Sequence, residues 1–255
     1  MIPKKIHYCW FGGNPLLELA QKCINSWKKY CPDYEIIQWN EANFDISAAP
    51  LFVRQAYEAK KWAFITDYVR LYAMTTYGGI YMDTDVQVVR SLDRFLEHRA
   101  FSGFEDETHI PTGIMACEKG FPLFLELMCY YDTASLYDAD GNLSLVTNVL
   151  IITDLLKTKG LTLNNCFQEI EGFALYPKDY FCPKSYQDGR IYKTKNTCTI
   201  HHFNGSWHTK EQAERKNARW KEERRRQRKH LPFAVVRKLL GESRYENIRA
   251  KLKGR

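Results

Sequence analysis

The sequence predicts an α/β domain over residues 1–208 followed by a basic helical tail over 209–255, on three observations. The chain opens with a strand–helix–strand pattern. A long apolar helix pattern then runs into Gly78-Gly79 and a short buried strand. Finally, the charge changes abruptly: residues 209–255 hold 17 Lys+Arg against 6 Asp+Glu, whereas residues 1–208 hold 20 against 24. The net charge of +7 is therefore a property of the tail, and the rest of the chain is slightly acidic. With 255 residues, 45% of them hydrophobic, the chain can bury one sizeable core without needing a second domain.

Residues 4–11 are rich in strand formers and stop at Gly12-Gly13. Leu16, Leu19, Ala20, Cys23, Ile24 and Trp27 recur at helical spacing, and Pro32-Asp33 ends that run. Tyr34 to Trp39 reads as the second strand. One helix is expected from about Leu51 to Tyr77, closed by Gly78-Gly79. Ile80-Tyr81-Met82 and Val86 to Val89 read as short strands, 121–131 and 146–158 as helices, and 173–182 and 197–203 as late strands. In the tail, Lys210 to His230 reads as a charge-rich helix that Pro232 is expected to interrupt. Beyond it, Phe233, Val236, Leu239, Leu240, Ile248 and Leu252 alternate with Lys and Arg at roughly helical spacing.

Composition excludes several classes. None of the eight cysteines forms a CxxC pair, so zinc-ribbon and thioredoxin-type spacings are absent. No apolar stretch has signal-peptide or membrane-spanning length. A reducing cytoplasm with free thiols is the expectation.

Three segments can carry chemistry. In Gly78-Gly-Ile-Tyr-Met-Asp83-Thr-Asp85, a buried strand ends in two carboxylates, at the sheet edge where α/β folds bind ligands. Two acids so close repel unless a cation joins them, and a hard divalent ion such as Mn²⁺ or Mg²⁺ takes oxygen ligands and bridges to phosphate. Taken alone, the pair also reads as a solvated turn. In Ala63 to Met74, only Thr66, Asp67 and Arg70 are strongly polar, so a helix there is buried nearly all round. Asp67 and Arg70 lie one turn apart on one face and serve either a polar ligand or a buried ion pair between helix and sheet. The third segment is His201-His202-Phe-Asn-Gly-Ser206-Trp207-His208, where a histidine can complete a cation site and a tryptophan can cap a base or sugar. Read as structure alone it is a turn with an aromatic anchor. Trp10 is likewise either core or a stacking platform.

In this order, the three segments resemble the Asp-x-Asp sugar-binding region of glycosyltransferase family thirty-two. That family includes initiating mannosyltransferases and capsular or surface-polysaccharide transferases, and its core is similar to the glucosylating domain of large clostridial toxins. Ile2 to Gly13 resembles the family's first strand, and His201 to Trp207 its closing signature. The resemblance covers about residues 2–208. It implies a GT-A type nucleotide-sugar-binding domain with a mixed central sheet, a Mn²⁺ or Mg²⁺ ion and retention of anomeric configuration. Carried over, Asp83 and Asp85 are the catalytic and metal-binding acids, and a histidine at 201 or 202, with His202 the first choice, completes the metal shell. Asp67, Arg70 and Asn148 face the sugar, Tyr8 and Trp10 lie at the base, and Ser206 and Trp207 close over the diphosphate.

The expected function is transfer of a hexose from a nucleotide-sugar, a UDP-sugar foremost and GDP-mannose as the alternative. The expected acceptor is a glycan or lipid-linked oligosaccharide of surface-polysaccharide or capsule synthesis. A lipid-linked acceptor places the enzyme at the inner face of the plasma membrane, where the tail's basic cluster suits anionic lipid; a solvated arm or a dimer contact is the other reading of the tail. Nucleic acid is the remaining partner for the arginines and is not expected. The Asp-x-Asp of haloacid-dehalogenase phosphatases is a rival, but it wants Thr or Val where this chain has Gln87. A non-catalytic carbohydrate- or membrane-binding module is the rival from outside the enzymes.

Overall fold

A computed structural model describes residues 1–110, 113–143, 146–205 and 210–242, with side chains described except at 210, 213 and 228–240. The chain begins with β1 (Lys5–Cys9), α1 (Glu18–Tyr30) and β2 (Glu35–Trp39), as the opening pattern predicts. Next come α2 (Leu51–Glu58), α3 (Trp62–Tyr77), β3 (Gly79–Met82) and β4 (Val86–Val88). β5 (Ala100–Gly103), β6 (Ile114–Cys117), α4 (Pro122–Thr133) and α5 (Asn148–Thr158) follow. β7 (Gln168–Ile170), β8 (Phe173–Tyr176), α6 (Lys178–Phe181), β9 (Thr199–His201) and α7 (Lys210–Leu240) complete the order.

Seven strands form one sheet in the order β2-β1-β3-β6-β5-β8-β7, and β4 pairs antiparallel with β9 in a second. In the large sheet β1 is parallel to β2 and β3, β6 runs antiparallel to β3 and β5, β8 is parallel to β5, and β7 is antiparallel to β8. The sheet is therefore mixed, as expected. The carboxyl ends of the parallel strands β1, β2 and β3 share one edge, and Trp10, Asn40 and Asp83 begin the loops there. Apolar side chains of α2, α3, α4 and α5 fill one core cluster, and those of α1, β4 and α6 fill the other.

The return from α3 into β3 depends on glycine. Gly78 closes α3 by donating to Met74 O at 2.8 Å. Gly79 has φ +120°, and a Cβ there would sit 2.8 Å from Lys5 O on the neighbouring strand. Only a residue without a side chain lets β3 approach β1 this closely. Below the junction, buried His7 bonds Gly78 O through Nε2 at 2.9 Å and accepts the Trp39 indole N–H on Nδ1 at 3.2 Å. Burial lowers its pKa, so the ring is neutral.

Several expectations change. The single helix over Leu51–Tyr77 is two helices, because Lys60 turns to φ +54° between them. The late strand expected over 173–182 ends at Tyr176, where Pro177 starts the short helix α6. Pro232 does not interrupt α7, which continues to Leu240. A proline costs a helix one N–H bond and a steric clash with the preceding turn, and the run of Arg, Lys, Ala and Leu around it is strongly helix-forming.

Tyr186–Arg190 and His208–Arg255 form a unit of their own, and the rest of the chain forms the other. Within the smaller unit, the Trp220 indole N–H donates to Tyr186 O at 2.8 Å and Arg224 donates to Asp188 O at 2.6 Å. Arg219 lies over the Tyr186 ring at 4.8 Å, and Gly189 leaves space that the Trp220 ring fills.

Candidate functional site

The end of β3 delivers Tyr81 and Asp83, and the next turn delivers Asp85. The Asp83 N–H bonds Gly113 O at 2.8 Å and its carbonyl accepts Val86 N–H at 2.9 Å, so the turn is held at both ends. β9 closes the site from the other side, because its register pairs His201 with Val86 and sets the imidazole beside Asp85. His201 Nε2 lies 3.4 Å from Asp85 Oδ1, and Asp85 Oδ2 accepts the Asn204 N–H at 2.6 Å. Ligand atoms of Asp83, Asp85 and His201 all fall within 4.8 Å of one another. Two carboxylate oxygens and an imidazole nitrogen at this spacing fit a Mn²⁺- or Mg²⁺-type cation.

α3 contributes the other half. The Arg70 guanidinium is buried and reaches Asp67 Oδ1 at 3.3 Å and Asp83 Oδ1 at 3.4 Å, over the Tyr81 ring at 4.7 Å. Tyr81 donates to Asp83 Oδ1 at 2.9 Å. The two readings of the Asp67–Arg70 pair thus coincide in space: it is a buried ion pair, and it ends on a carboxylate of the cluster. Asp67 also meets the first turn of α5, where Asn148 Nδ2 donates to Asp67 O at 3.3 Å. Asn148 Oδ1 is buried with no partner among the described residues.

The charges are strongly perturbed. Burial opposes ionisation of Asp85, but the His201 charge and the Asn204 N–H outweigh it and hold the carboxyl at about 2. Asp67 moves the other way: burial pushes it up to about 6, against the pull of Arg70. Burial disfavours a charged His201, yet Asp85 raises its pKa well above the usual value. Glu105, in the loop after β5, is raised by burial and feels both His201 and Asp83. Asp67, Asp83 and Asp85 outnumber the Arg70 guanidinium and the His201 ring that face them, which leaves an excess of negative charge for a cation to neutralise.

The structure therefore brings together Asp67, Arg70, Asp83, Asp85 and Asn148. Of the two histidines it places His201, not His202, beside the acids. His202 turns its Nε2 to Gln87 Oε1 at 3.1 Å, and His201 occupies the position expected of it. Successive side chains of a strand point to opposite faces, so only one of the pair can face the acids, and the register of β9 on β4 selects His201. Tyr8 is buried, donates to Gln38 Oε1 at 2.8 Å and packs edge-on against Trp27, so its hydroxyl is already committed. Trp10 is half-buried at the end of β1, with its indole N–H on Asn14 O at 2.6 Å. Ser206 and Trp207 lie outside the described residues. Sequence reasoning missed Tyr81, Glu105 and the Asn204 amide. For Tyr81 the signal was present, since it shares a strand face with Asp83.

Residues 18–102 match the family model described as the glycosyltransferase sugar-binding region containing DXD motif. Over 135 residues the chain is 31% identical to inositol phosphoceramide mannosyltransferase 3 of Schizosaccharomyces pombe, an alignment covering 50% of this chain and 36% of that protein. Over 143 residues it is 29% identical to mannosyl phosphorylinositol ceramide synthase CSH1 of Saccharomyces cerevisiae, covering 50% and 35%. The chain thus spans about a third of the length of these curated relatives. The solved PaToxG glycosyltransferase overlaps with a TM-score of 0.49 at 18% identity, over 62% of this chain and 69% of that one. The matched segment contains Asp67, Arg70 and the Asp-x-Asp sequence Asp83-Thr84-Asp85.

Proposed function

We propose that the chain is a metal-dependent glycosyltransferase of GT-A type that moves a hexose from a nucleotide-sugar to a glycan or lipid-linked acceptor. The observation that carries this reading is the joining of two sets of groups on one carboxylate, Asp83. On one side of it stands the Asp83–Asp85–His201 cluster, and on the other the buried Asp67–Arg70 pair. Asp83, Asp85 and His201 would hold a Mn²⁺ or Mg²⁺ ion, which when bound would supply positive charge for the departing diphosphate. Asp67, Arg70 and Asn148 position the sugar: Asn148 Oδ1 is a buried acceptor without a partner among the described residues, suited to a sugar hydroxyl. Arg70 holds Asp83 in place and limits its movement. Trp10 stands at the carboxyl end of β1 for the base, and Ser206 and Trp207 are assigned to the diphosphate.

No side chain in the cluster is arranged as an activated nucleophile, so attack on the face the diphosphate leaves, with retention, is the mechanism we adopt. A trapped glycosyl ester on an Asp or Glu would overturn it. The donor has two readings. The sequence favours a UDP-hexose, while the names of both curated relatives specify mannosyl transfer and favour GDP-mannose. Those names also specify phosphorylinositol ceramide lipids, which supports a lipid-linked acceptor here. Residues 1–208 are assigned to catalysis and 209–255 to peripheral attachment at the inner face of the plasma membrane. Among the described residues no helix is long and apolar enough to cross a membrane.

The test is a panel of UDP-glucose, UDP-galactose, their N-acetyl forms and GDP-mannose with Mn²⁺, scored by release of the nucleoside diphosphate. Release from one donor that is lost in Asp85→Asn supports the reading; no release from any of them contradicts it. For the tail, a chain ending at His208 is expected to lose sedimentation with anionic vesicles, and undiminished sedimentation refutes attachment.

A further inference from the structure

The loop between β5 and β6 is anchored along the edge of the sheet. Phe104 N–H extends the β5–β8 pairing to Tyr176 O at 2.9 Å, Glu105 N–H bonds His109 O at 2.9 Å, and Ile110 N–H reaches Thr153 Oγ1 of α5 at 3.2 Å. At its far end Gly113 O accepts the Asp83 N–H at 2.8 Å. The loop thus lands on the residue that opens the cation cluster.

Strand alternation sets the side on which Glu105 lies. Phe101 stacks on Phe181 of α6 at 5.6 Å, and a Cβ at Gly103 would stand 2.9 Å from the same ring. Phe104, on the opposite face, belongs to the other core cluster. Glu105 therefore falls on the α6 face, two residues beyond Gly103 toward the carboxyl edge. Phe181 also anchors β9, since Thr199 Oγ1 donates to Phe181 O at 2.8 Å, and His201 is two residues beyond Thr199. From one helix, both strands advance to the edge that Asp83 occupies. The neighbouring carboxylates there are engaged: Asp83 with Tyr81 and Arg70, Asp85 with Asn204 N–H and His201, Asp106 with Thr108 and His109. Glu105 is half-buried, lies outside the cation cluster, and its side chain bonds no described residue. Burial without a compensating bond raises its pKa, which suits a group that takes up a proton.

Resting on the reading of the chain as a glycosyltransferase, we propose that Glu105 is the catalytic base that takes the proton of the incoming acceptor hydroxyl. The cluster is assigned to the diphosphate and Asp67, Arg70 and Asn148 to the sugar, which leaves the hydroxyl as the reactant without a partner. In the transfer the hydroxyl oxygen bonds to sugar C1, and the C1–O bond to the diphosphate breaks with its electron pair going to the diphosphate. The hydroxyl proton passes to Glu105, which later yields it to water.

The test needs no identified acceptor, because water takes its place: hydrolysis of the donor panel by the full chain with Mn²⁺ is scored by release of the nucleoside diphosphate. Glu105→Gln is expected to lower kcat about 100-fold or more, with the donor KM and the Mn²⁺ affinity within about three-fold of the unaltered chain. Formate is expected to restore part of the kcat lost in Glu105→Ala and none of that lost in Glu105→Gln, where the amide fills the space. A kcat loss below about 10-fold in Glu105→Gln, a change in KM or Mn²⁺ affinity in place of kcat, or no rescue of Glu105→Ala overturns the proposal. So does a glycosyl ester on Glu105 after rapid quenching, which would make it a nucleophile. An unaltered chain that binds Mn²⁺ but hydrolyses no donor removes the glycosyltransferase reading and the proposal with it, and leaves the cation site standing.

Discussion

Replacing Arg70 by Met removes the one guanidinium that joins α3 to β3 at the site while keeping much of its apolar volume. At 3.3 and 3.4 Å, each carboxylate contact is worth about 5 kcal/mol of attraction at an effective dielectric of about 20. Desolvation of the buried guanidinium and of the two partly buried carboxylates offsets most of that. The net loss on removing one partner, which leaves two carboxylates facing each other, is expected to be about 3–5 kcal/mol. For a chain of this size that lowers Tm by on the order of 10 °C. Urea unfolding followed by tryptophan fluorescence measures it. In the Asp67→Asn background the same substitution should cost less, by about 0.5–3 kcal/mol, because one orphaned charge is already gone. Mn²⁺ affinity should hold or rise, since a positive charge 3.4 Å from Asp83 competes with the cation. Arg70→Met within about 0.5 kcal/mol of the unaltered chain, or loss of Mn²⁺ binding in a still-folded variant, would refute the reasoning.

His7 and Gly79 support further predictions. His7 titrates below its unfolded value because of burial, so its stabilising contribution is present above about pH 6.5 and is lost as pH falls toward the folded pKa. The stability gap between the unaltered chain and His7→Gln should therefore narrow between about pH 7.5 and 5.5; a gap independent of pH contradicts this. Gly79→Ala meets Lys5 O at 2.8 Å with φ at +120°, and equilibrium unfolding should show a cost of about 2 kcal/mol or more. A loss below about 0.5 kcal/mol would mean that β3 can shift away from β1.

What was legible in the sequence was local. The strand before Asp83, the helix pattern of α1 and the polar trio within α3 announce themselves through apolar spacing and glycine stops. The short strands β5, β6 and β7 did not. β5 and β6 are four-residue runs buried on both faces, so they show no alternation to read. The break between α2 and α3 rests on a single left-handed lysine, a conformation that lysine's identity does not signal. The choice between His201 and His202 depends on the register of β9 against β4, set by pairing across more than a hundred residues. The Asp67 partner at Asn148 is legible only once α5 is docked against α3.

The most direct measurement is Mn²⁺ titration of the full chain beside Asp85→Asn, His201→Ala and His202→Ala. One ion is expected to bind, with affinity falling at least about 10-fold in Asp85→Asn and His201→Ala and staying unchanged in His202→Ala. An unaltered chain that binds no ion, or a loss confined to His202→Ala, would contradict a cation held by Asp83, Asp85 and His201.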